Sequence, residues 1–204
     1  MTAGRGIVHS ERRPEHLRQR EYVNHGLQLW TALPREHEED EPAFSHTPAA
    51  AIPEVRVGGV RVRVLVGDAV GERSPVPALS RTVYLDVSLA PGASLDLPAL
   101  AAELAVYAVQ GDLLAADEAV AQGSLAVLES RPMRLESAGG ARLVLIGGDA
   151  LDGPRHLWWN FVSSRRERII QASADWQEQR MGQIPGEHEY IPLPPLLKPP
   201  DPMS

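Results

Sequence analysis

Between Val55 and Ile146 the apolar residues recur mainly at every second position. Val60, Val62 and Val64 alternate with Arg61 and Arg63, the period-two pattern of a half-buried strand. Gly58-Gly59 supplies a turn back to Val55–Val57, so residues 55–66 predict a hairpin. Strands are also predicted at Thr82 to Leu89, Ala105 to Val109, Gly123 to Glu129 and Ala141 to Ile146, separated by turn signals such as Pro91-Gly92 and Gly111. Short strands at this spacing have the rhythm of a jelly-roll sandwich. Leu157 to Val162 predicts one more, with Trp158 and Trp159 on opposite faces, one filling the core and the other covering a helix.

The period then changes. Ile169, Ala172, Ser173 and Trp176 fall on one helical stripe, Ser164 and Glu167 have capping-box spacing, and Gly182 suits the position past the end. The pattern predicts one helix of about four to five turns. The tail from Ile191 to Pro202 carries six prolines and is expected to lie extended. At the other end, residues 1–11 read as a strand, and Gly26 to Leu33 alternates Leu27 and Leu29 against Gln28 and Trp30 as a second strand of the same sheet. Residues 34–53 combine a charge run with Pro and Ala and read as a linker, so a new domain is expected to start near Glu54.

Composition narrows the function classes. The 204 residues are 43% hydrophobic and 23% charged, enough for one large domain or two small ones. A formal charge of -7 opposes a cationic grip on nucleic acid, leaving a protein partner or a small uncharged or chelating ligand. With no cysteine, disulfides, thiolate nucleophiles and Cys-type metal sites are excluded. No apolar run approaches a membrane span and no signal-peptide core is present at Met1, so a cytoplasmic location is expected.

The candidate chemistry sits near the start. His9 and Glu11 are two apart, and on an extended strand both side chains project from one face, as half of a metal site would. A mononuclear iron site needs at least two histidines and a carboxylate, so the other half would have to come from elsewhere. Ser10 faces the opposite side and makes no triad. His37 and His46 fall in the charged linker and read as solvent-exposed, His156 as a surface or interface hydrogen-bonding residue. Arg165, Arg166 and Arg168 read as the wet face of the helix, and Glu103 as a solvated loop carboxylate. Between Glu54 and Arg155 there is no histidine, and Leu95, Leu97, Pro98 and Leu100 read as packing for an apolar interior.

Several blocks together resemble the pirin family: Thr2-Ala-Gly-Arg-Gly-Ile-Val-His-Ser-Glu11, Gly26-Leu-Gln-Leu-Trp30, Trp158-Trp-Asn-Phe-Val-Ser-Ser164, Glu167-Arg-Ile169, Asp175-Trp176 and Ile191-Pro-Leu-Pro194. They occur in the family's order over nearly the whole chain. The resemblance implies a mostly β bicupin, two jelly-roll β-sandwiches in one chain. A mononuclear non-haem iron would lie in the first, held by three histidines and a glutamate, and the second would be metal-free. His9 and Glu11 fall on the second ligand pair of that site. The earlier His-x-His has no counterpart here, so the expectation is an N-terminally truncated chain. Residues 1–33 would be a remnant of the first cupin, residues 34–53 the linker, and residues 54–204 a complete second cupin with one C-terminal α-helix and a Pro-rich tail.

Three functions from different classes follow from the resemblance. One is an iron-dependent quercetin 2,3-dioxygenase-type enzyme acting on a flavonol, with Glu11 as the ligand carboxylate that helps remove the hydroxyl proton. Another is a metal-dependent regulator that binds a transcription factor or a metabolic enzyme. The third is a metal-free remnant. With half of the metal site missing, the chain alone is expected to be inactive.

Overall fold

The structure, a computed structural model, describes residues 1–195, so part of the Pro-rich tail from Ile191 to Pro202 lies outside the described residues. The chain divides into two compact units, residues 46–150 and residues 1–45 with 151–204. This division departs from the boundaries read from the sequence, because the stretch following Ala150 groups with the first 45 residues.

The 46–150 unit is built from the alternating segments. Its strands are β1 (Glu54–Val57), β2 (Val60–Val66), β3 (Asp68–Ala69), β4 (Glu72–Arg73), β5 (Thr82–Leu89), β6 (Ser94–Leu97), β7 (Glu103–Gln110), β8 (Leu113–Ala115), β9 (Glu118–Val120), β10 (Leu125–Leu128), β11 (Met133–Glu136) and β12 (Ala141–Gly148). Six form an antiparallel sheet in the order β1-β2-β5-β12-β7-β10, and four form a second in the order β6-β11-β8-β9. Apart from the hairpins β1–β2 and β8–β9, neighbours in these sheets are not consecutive in sequence, as in β6 beside β11, which is the crossing connectivity of a jelly roll.

One face of each sheet supplies the core. Val60, Val62, Val64, Leu85, Val87, Val106, Leu143 and Leu145 come from the larger sheet and Leu95, Leu97, Leu113, Ala115, Met133 and Leu135 from the smaller, all buried in one cluster. The period of two is visible in the burial itself, since Arg61 and Arg63 stay partly exposed between buried valines. Gly67, joining β2 to β3, is required by the backbone. Its φ is +82° and a Cβ there would lie 2.0 Å from the Thr82 carbonyl oxygen. The interior is aliphatic, as expected for Leu95, Leu97 and Leu100.

The other unit contains the hairpin β13 (His156–Trp158) and β14 (Phe161–Ser163), followed by α1 (Arg166–Gln177). The expected single strand over 157–162 is thus a hairpin, and Trp159 sits in its turn with φ +51°. Neither Trp158 nor Trp159 is fully buried. Trp159 packs on Phe161 and on Trp176 of α1, with ring centroids 5.4 and 5.1 Å apart. The helix is 12 residues, shorter than its pattern suggested, and ends before Gly182. Arg165, not Ser164, occupies its N-cap, with no side-chain cap. Ser164 is diverted because its backbone N–H and its hydroxyl donate to Glu38, at 2.8 and 2.9 Å.

The strands expected at residues 1–11 and 26–33 are absent. A single bridge joins Thr2 to Ala43, and Gly26 to Leu33 is irregular and almost entirely solvent-exposed. An extended segment becomes a strand only when a neighbour satisfies its backbone groups, and no ladder to these residues forms among the described residues. Residues 34–53 are likewise not a featureless linker, since Arg35–His37 and Ala49–Ala51 form short 3-10 turns. Among the described residues no helix is long and apolar enough to cross a membrane.

Candidate functional site

His9 and Glu11 follow the segment Thr2-Ala-Gly-Arg-Gly6, whose geometry explains its glycines. Thr2 pairs with Ala43 through two backbone bonds of 2.8 and 3.0 Å, and Arg5 N–H donates to the Asp40 carbonyl at 3.0 Å. Between them Gly4 has φ +50°, and a Cβ there would lie 2.1 Å from the Asp40 carbonyl oxygen, so only glycine fits. The chain then runs through half-buried Ile7 and Val8 before His9, Ser10 and Glu11 emerge as exposed side chains.

Both predicted ligands are therefore solvated on an irregular segment, not displayed on one face of a strand. Among the described residues no group of three or more His, Asp or Glu side chains is placed to hold a metal ion. One imidazole and one carboxylate leave most coordination positions to water, so the residues present do not by themselves fit a mononuclear iron centre. Glu103 is exposed as expected, though it is the first residue of β7 and not in a loop. His46 is exposed, whereas His37 is half-buried with Nδ1 2.7 Å from Asp40 Oδ2, which gives it a fixed place the sequence did not suggest. His156 Nδ1 is buried and, among the described residues, has no hydrogen-bond partner, where a surface or interface hydrogen bond was expected.

The side chains that organise this unit were not singled out by the sequence. Arg155 is buried, with side-chain exposure of 3%, and its guanidinium donates to the Gly153 and Leu33 carbonyls at 2.7 Å and to Asp152 at 2.5 Å. Its Nε lies 2.8 Å from Glu38 Oε1 as an ion pair, although the N–H is not aimed at that oxygen. Glu38 in turn accepts from the Ser163 hydroxyl at 3.0 Å as well as from Ser164. Next to it, Glu39 pairs with Arg165 and, at 3.1 Å, with Arg168, so two of the three arginines read as a wet helix face are engaged. Backbone and side-chain donors from Arg35 and Arg155 hold the Asp152 carboxyl below its usual range.

In the 46–150 unit the outer face of the larger sheet carries a separate charged group. Asp86 is 3% exposed and accepts two bonds from Arg142, at 2.9 and 3.0 Å, with Arg63 4.0 Å away. Burial, and secondarily the Asp86 charge, push the neighbouring Tyr84 hydroxyl up. A shallow recess of about 410 Å³ beside the β3–β4 hairpin is lined by Asp68, Glu72, Arg73, Arg81 and Leu100 and opens to solvent. Asp68 is already paired with Arg73, and among the described residues no group of three acids or histidines converges there, so the recess suggests no metal site.

Comparison with known proteins adds what this geometry lacks. Residues 84–182 match the Pirin C-terminal cupin domain. The chain is 39% identical over 197 residues to a pirin-like protein of Caulobacter vibrioides, covering 95% of this chain and 68% of the relative. It is 33% identical over 190 residues to pirin of Homo sapiens, covering 89% of this chain and 64% of that one. Among solved structures, quercetin 2,3-dioxygenase from Acinetobacter baumannii superposes with a TM-score of 0.75 at 26% identity, over 84% of this chain and 58% of that chain. The chain thus spans about two thirds of the length of these curated relatives.

Proposed function

Because the chain belongs to the pirin family, we propose that it serves as the larger part of an iron-dependent cupin with quercetin 2,3-dioxygenase-type activity. His9 and Glu11 would supply two of the iron ligands, with Glu11 also the candidate catalytic carboxylate. Residues 1–33 are then the closing part of a first cupin, residues 34–53 the passage out of it, and residues 54–204 the second cupin with its appended helix. The observation that carries this reading is the likeness to a quercetin 2,3-dioxygenase over 84% of the chain. It is joined to a His-x-Glu pair immediately after a backbone-locked Thr-Ala-Gly-Arg-Gly segment. Iron would supply the oxygen and flavonol chemistry when bound, and further histidines must complete its ligand set. A cytoplasmic location belongs to the same proposal.

The incomplete donor set favours a second reading, a regulator that binds a transcription factor or metabolic enzyme and needs no turnover. Two measurements separate the readings. Elemental analysis of the purified chain after loading with ferrous iron and desalting is expected to show far less than one iron per chain. Fusion of a segment bearing His-x-His is expected to raise this to one, lost again in His9→Ala or Glu11→Ala. Oxygen uptake with quercetin by that extended protein supports the enzyme, and stoichiometric iron without uptake supports the regulator. One tightly held iron in the 204-residue chain that survives His9→Ala would overturn the ligand assignment.

A further inference from the structure

The two edges of the six-stranded sheet differ in how they meet solvent. β1 at one edge carries Glu54 and Arg56, and Glu54 is tied to Arg56 at 2.6 Å and faces Arg61 at 3.8 Å. Charges of this kind discourage a further strand from adding. β10 at the other edge is Leu125-Ala-Val-Leu128, with no charged residue. Leu125 is 58% and Val127 79% exposed, side by side on the outer face opposite Tyr107 and Ala105 of β7.

The hydrogen-bond phase leaves this edge open. Ala108 N–H donates to the Ser124 carbonyl at 3.0 Å and the Ala108 carbonyl accepts from Gly123 N–H at 2.8 Å, so Ala108 forms a bonded position closed by a bulge at Gly123. In an antiparallel ladder bonded pairs recur at every second residue, so Ala126 and Leu128 direct their backbone groups to β7. Leu125 and Val127 then direct theirs outward, away from the sheet. Two aliphatic side chains and four backbone groups without a partner among the described residues lie on one short edge.

We propose that this edge pairs with the β10 edge of a second copy of the chain, in an antiparallel register centred on Ala126. Inward and outward faces must match across the pair, because side chains alternate with a period of two. Centring on Ala126 places Leu125 opposite the second copy's Val127 and Val127 opposite its Leu125, and each such pair exchanges both backbone bonds. The four aliphatic side chains then form one cluster on a common face. Electrostatics permit self-pairing in this register, since Leu125–Leu128 carries no charge and no like charges are set opposite one another within the paired strands. Self-pairing of β1 in the matching register centred on Val55 would instead set Arg56 opposite Glu54 at the cost of breaking the ion pairs those residues already make. The contact is short, well below the roughly 1,200 Å² of a stable interface, so a dissociation constant in the micromolar range or weaker is expected.

Sedimentation velocity on the full chain from low to high micromolar concentration is the test. A reversible monomer–dimer equilibrium is expected, weakened about tenfold by Val127→Lys and by Leu125→Glu, each of which alters two cross-strand pairs. Mixing the two variants is expected to recover association, because the introduced lysine of one then faces the introduced glutamate of the other while the remaining Leu125–Val127 pair stays native. Hydrogen exchange of the unmodified chain gives an independent reading: the Leu125 and Val127 amides should gain protection as concentration rises, and the outward-directed amides of Glu54 and Arg56 on β1 should not. A chain that stays monomeric throughout, a dimer indifferent to both substitutions, or amides whose exchange ignores concentration would overturn the proposal. Protection that appears only with an added aliphatic peptide would assign the edge to a different partner and also overturn it.

Discussion

Each of the two compact units is held together by its own chemistry. Residues 46–150 close around a continuous aliphatic cluster drawn from both sheets, with Leu85, Val87, Val106, Ala115, Leu135, Leu143 and Leu145 fully shielded. In the unit made of residues 1–45 and 151 onward, Ile169 and Ala172 are the buried apolar residues among those described, and the deepest side chains are otherwise Arg155 and Ser163. Its cohesion comes from the Glu38–Arg155 hub, the Glu39–Arg168 pair, and an aromatic row from Phe161 through Trp159 and Trp176 to Tyr190. Dispersion and solvent exclusion are spread over many residues and tolerate local loss. A buried ion-pair hub concentrates the same dependence on a few atoms.

The sharpest way to break that comparison is at the hub. Arg155→Ala leaves the Glu38 carboxylate without its cation and the Leu33 and Gly153 carbonyls without their donor. Removing one partner of a buried pair typically costs about 3–5 kcal/mol, and loss of hydrogen-exchange protection in α1 with the β12 amides unchanged is the expected signature. Arg155→Lys is not conservative here, because the planar fork meets Glu38, Asp152 and the Leu33 and Gly153 carbonyls together.

A somewhat smaller effect is expected in the aliphatic unit. Leu145→Ala should cost about 3 kcal/mol in chemical denaturation, and Leu29→Ala, at a side chain 41% exposed, about 0.5 kcal/mol or less. Equal losses would mean that the 26–33 segment packs more than its exposure indicates. Gly67→Ala should cost about 2 kcal/mol, from a positive φ and contact with the Thr82 carbonyl. Gly26→Ala, with open space around it, should be close to neutral.

These differences also explain what the sequence disclosed. The strands β2, β5, β7, β10 and β12 were legible because period-two burial is a local signal, and the jelly roll followed. Residues 26–33 show the limit of the same signal: Leu27 and Leu29 alternate as Val60 and Val62 do, but a strand exists only where a ladder partner does. The small sheet escaped prediction, since β6, β8, β9 and β11 are only three or four residues long. Ser164 and Glu167 have capping-box spacing, yet Glu38, 126 residues earlier, takes the Ser164 donors. Arg155 carried no motif at all. A long-range ion pair leaves no periodicity, so a single chain gives no sign of it. For the candidate site, the sequence identified His9 and Glu11 and the family, but the irregular backbone that carries them had been read as a strand.

The smallest expected effect is an acid-sensitive contact at the rim of the charged unit. Glu187 accepts from Arg12 Nε at 2.9 Å and from the His188 and Glu189 backbone N–H groups at 2.9 and 3.1 Å. The Arg12 hydrogen bond, more than any other influence, lowers its pKa from 4.5 to about 2. For a carboxylate depressed in the folded state, the stabilising contribution is complete above the unfolded value of 4.5. It declines as pH falls and is gone below about 2, while Arg12 stays charged throughout. Arg12 is exposed and the pair lies at the surface, so the loss is local, not global. The reporter is close by, because Tyr190 stacks on Trp176 at 5.5 Å and the Trp176 indole N–H donates to the Ile191 carbonyl at 2.8 Å. Trp176 emission and the Glu187 side-chain resonance are therefore expected to titrate together near pH 2. In Arg12→Ala both should move up toward 4.5, and in Glu187→Gln the step should vanish. A titration that stays near pH 2 without Arg12 would show that the backbone donors alone hold the carboxylate, and that the first thirteen residues are fastened by something other than this pair.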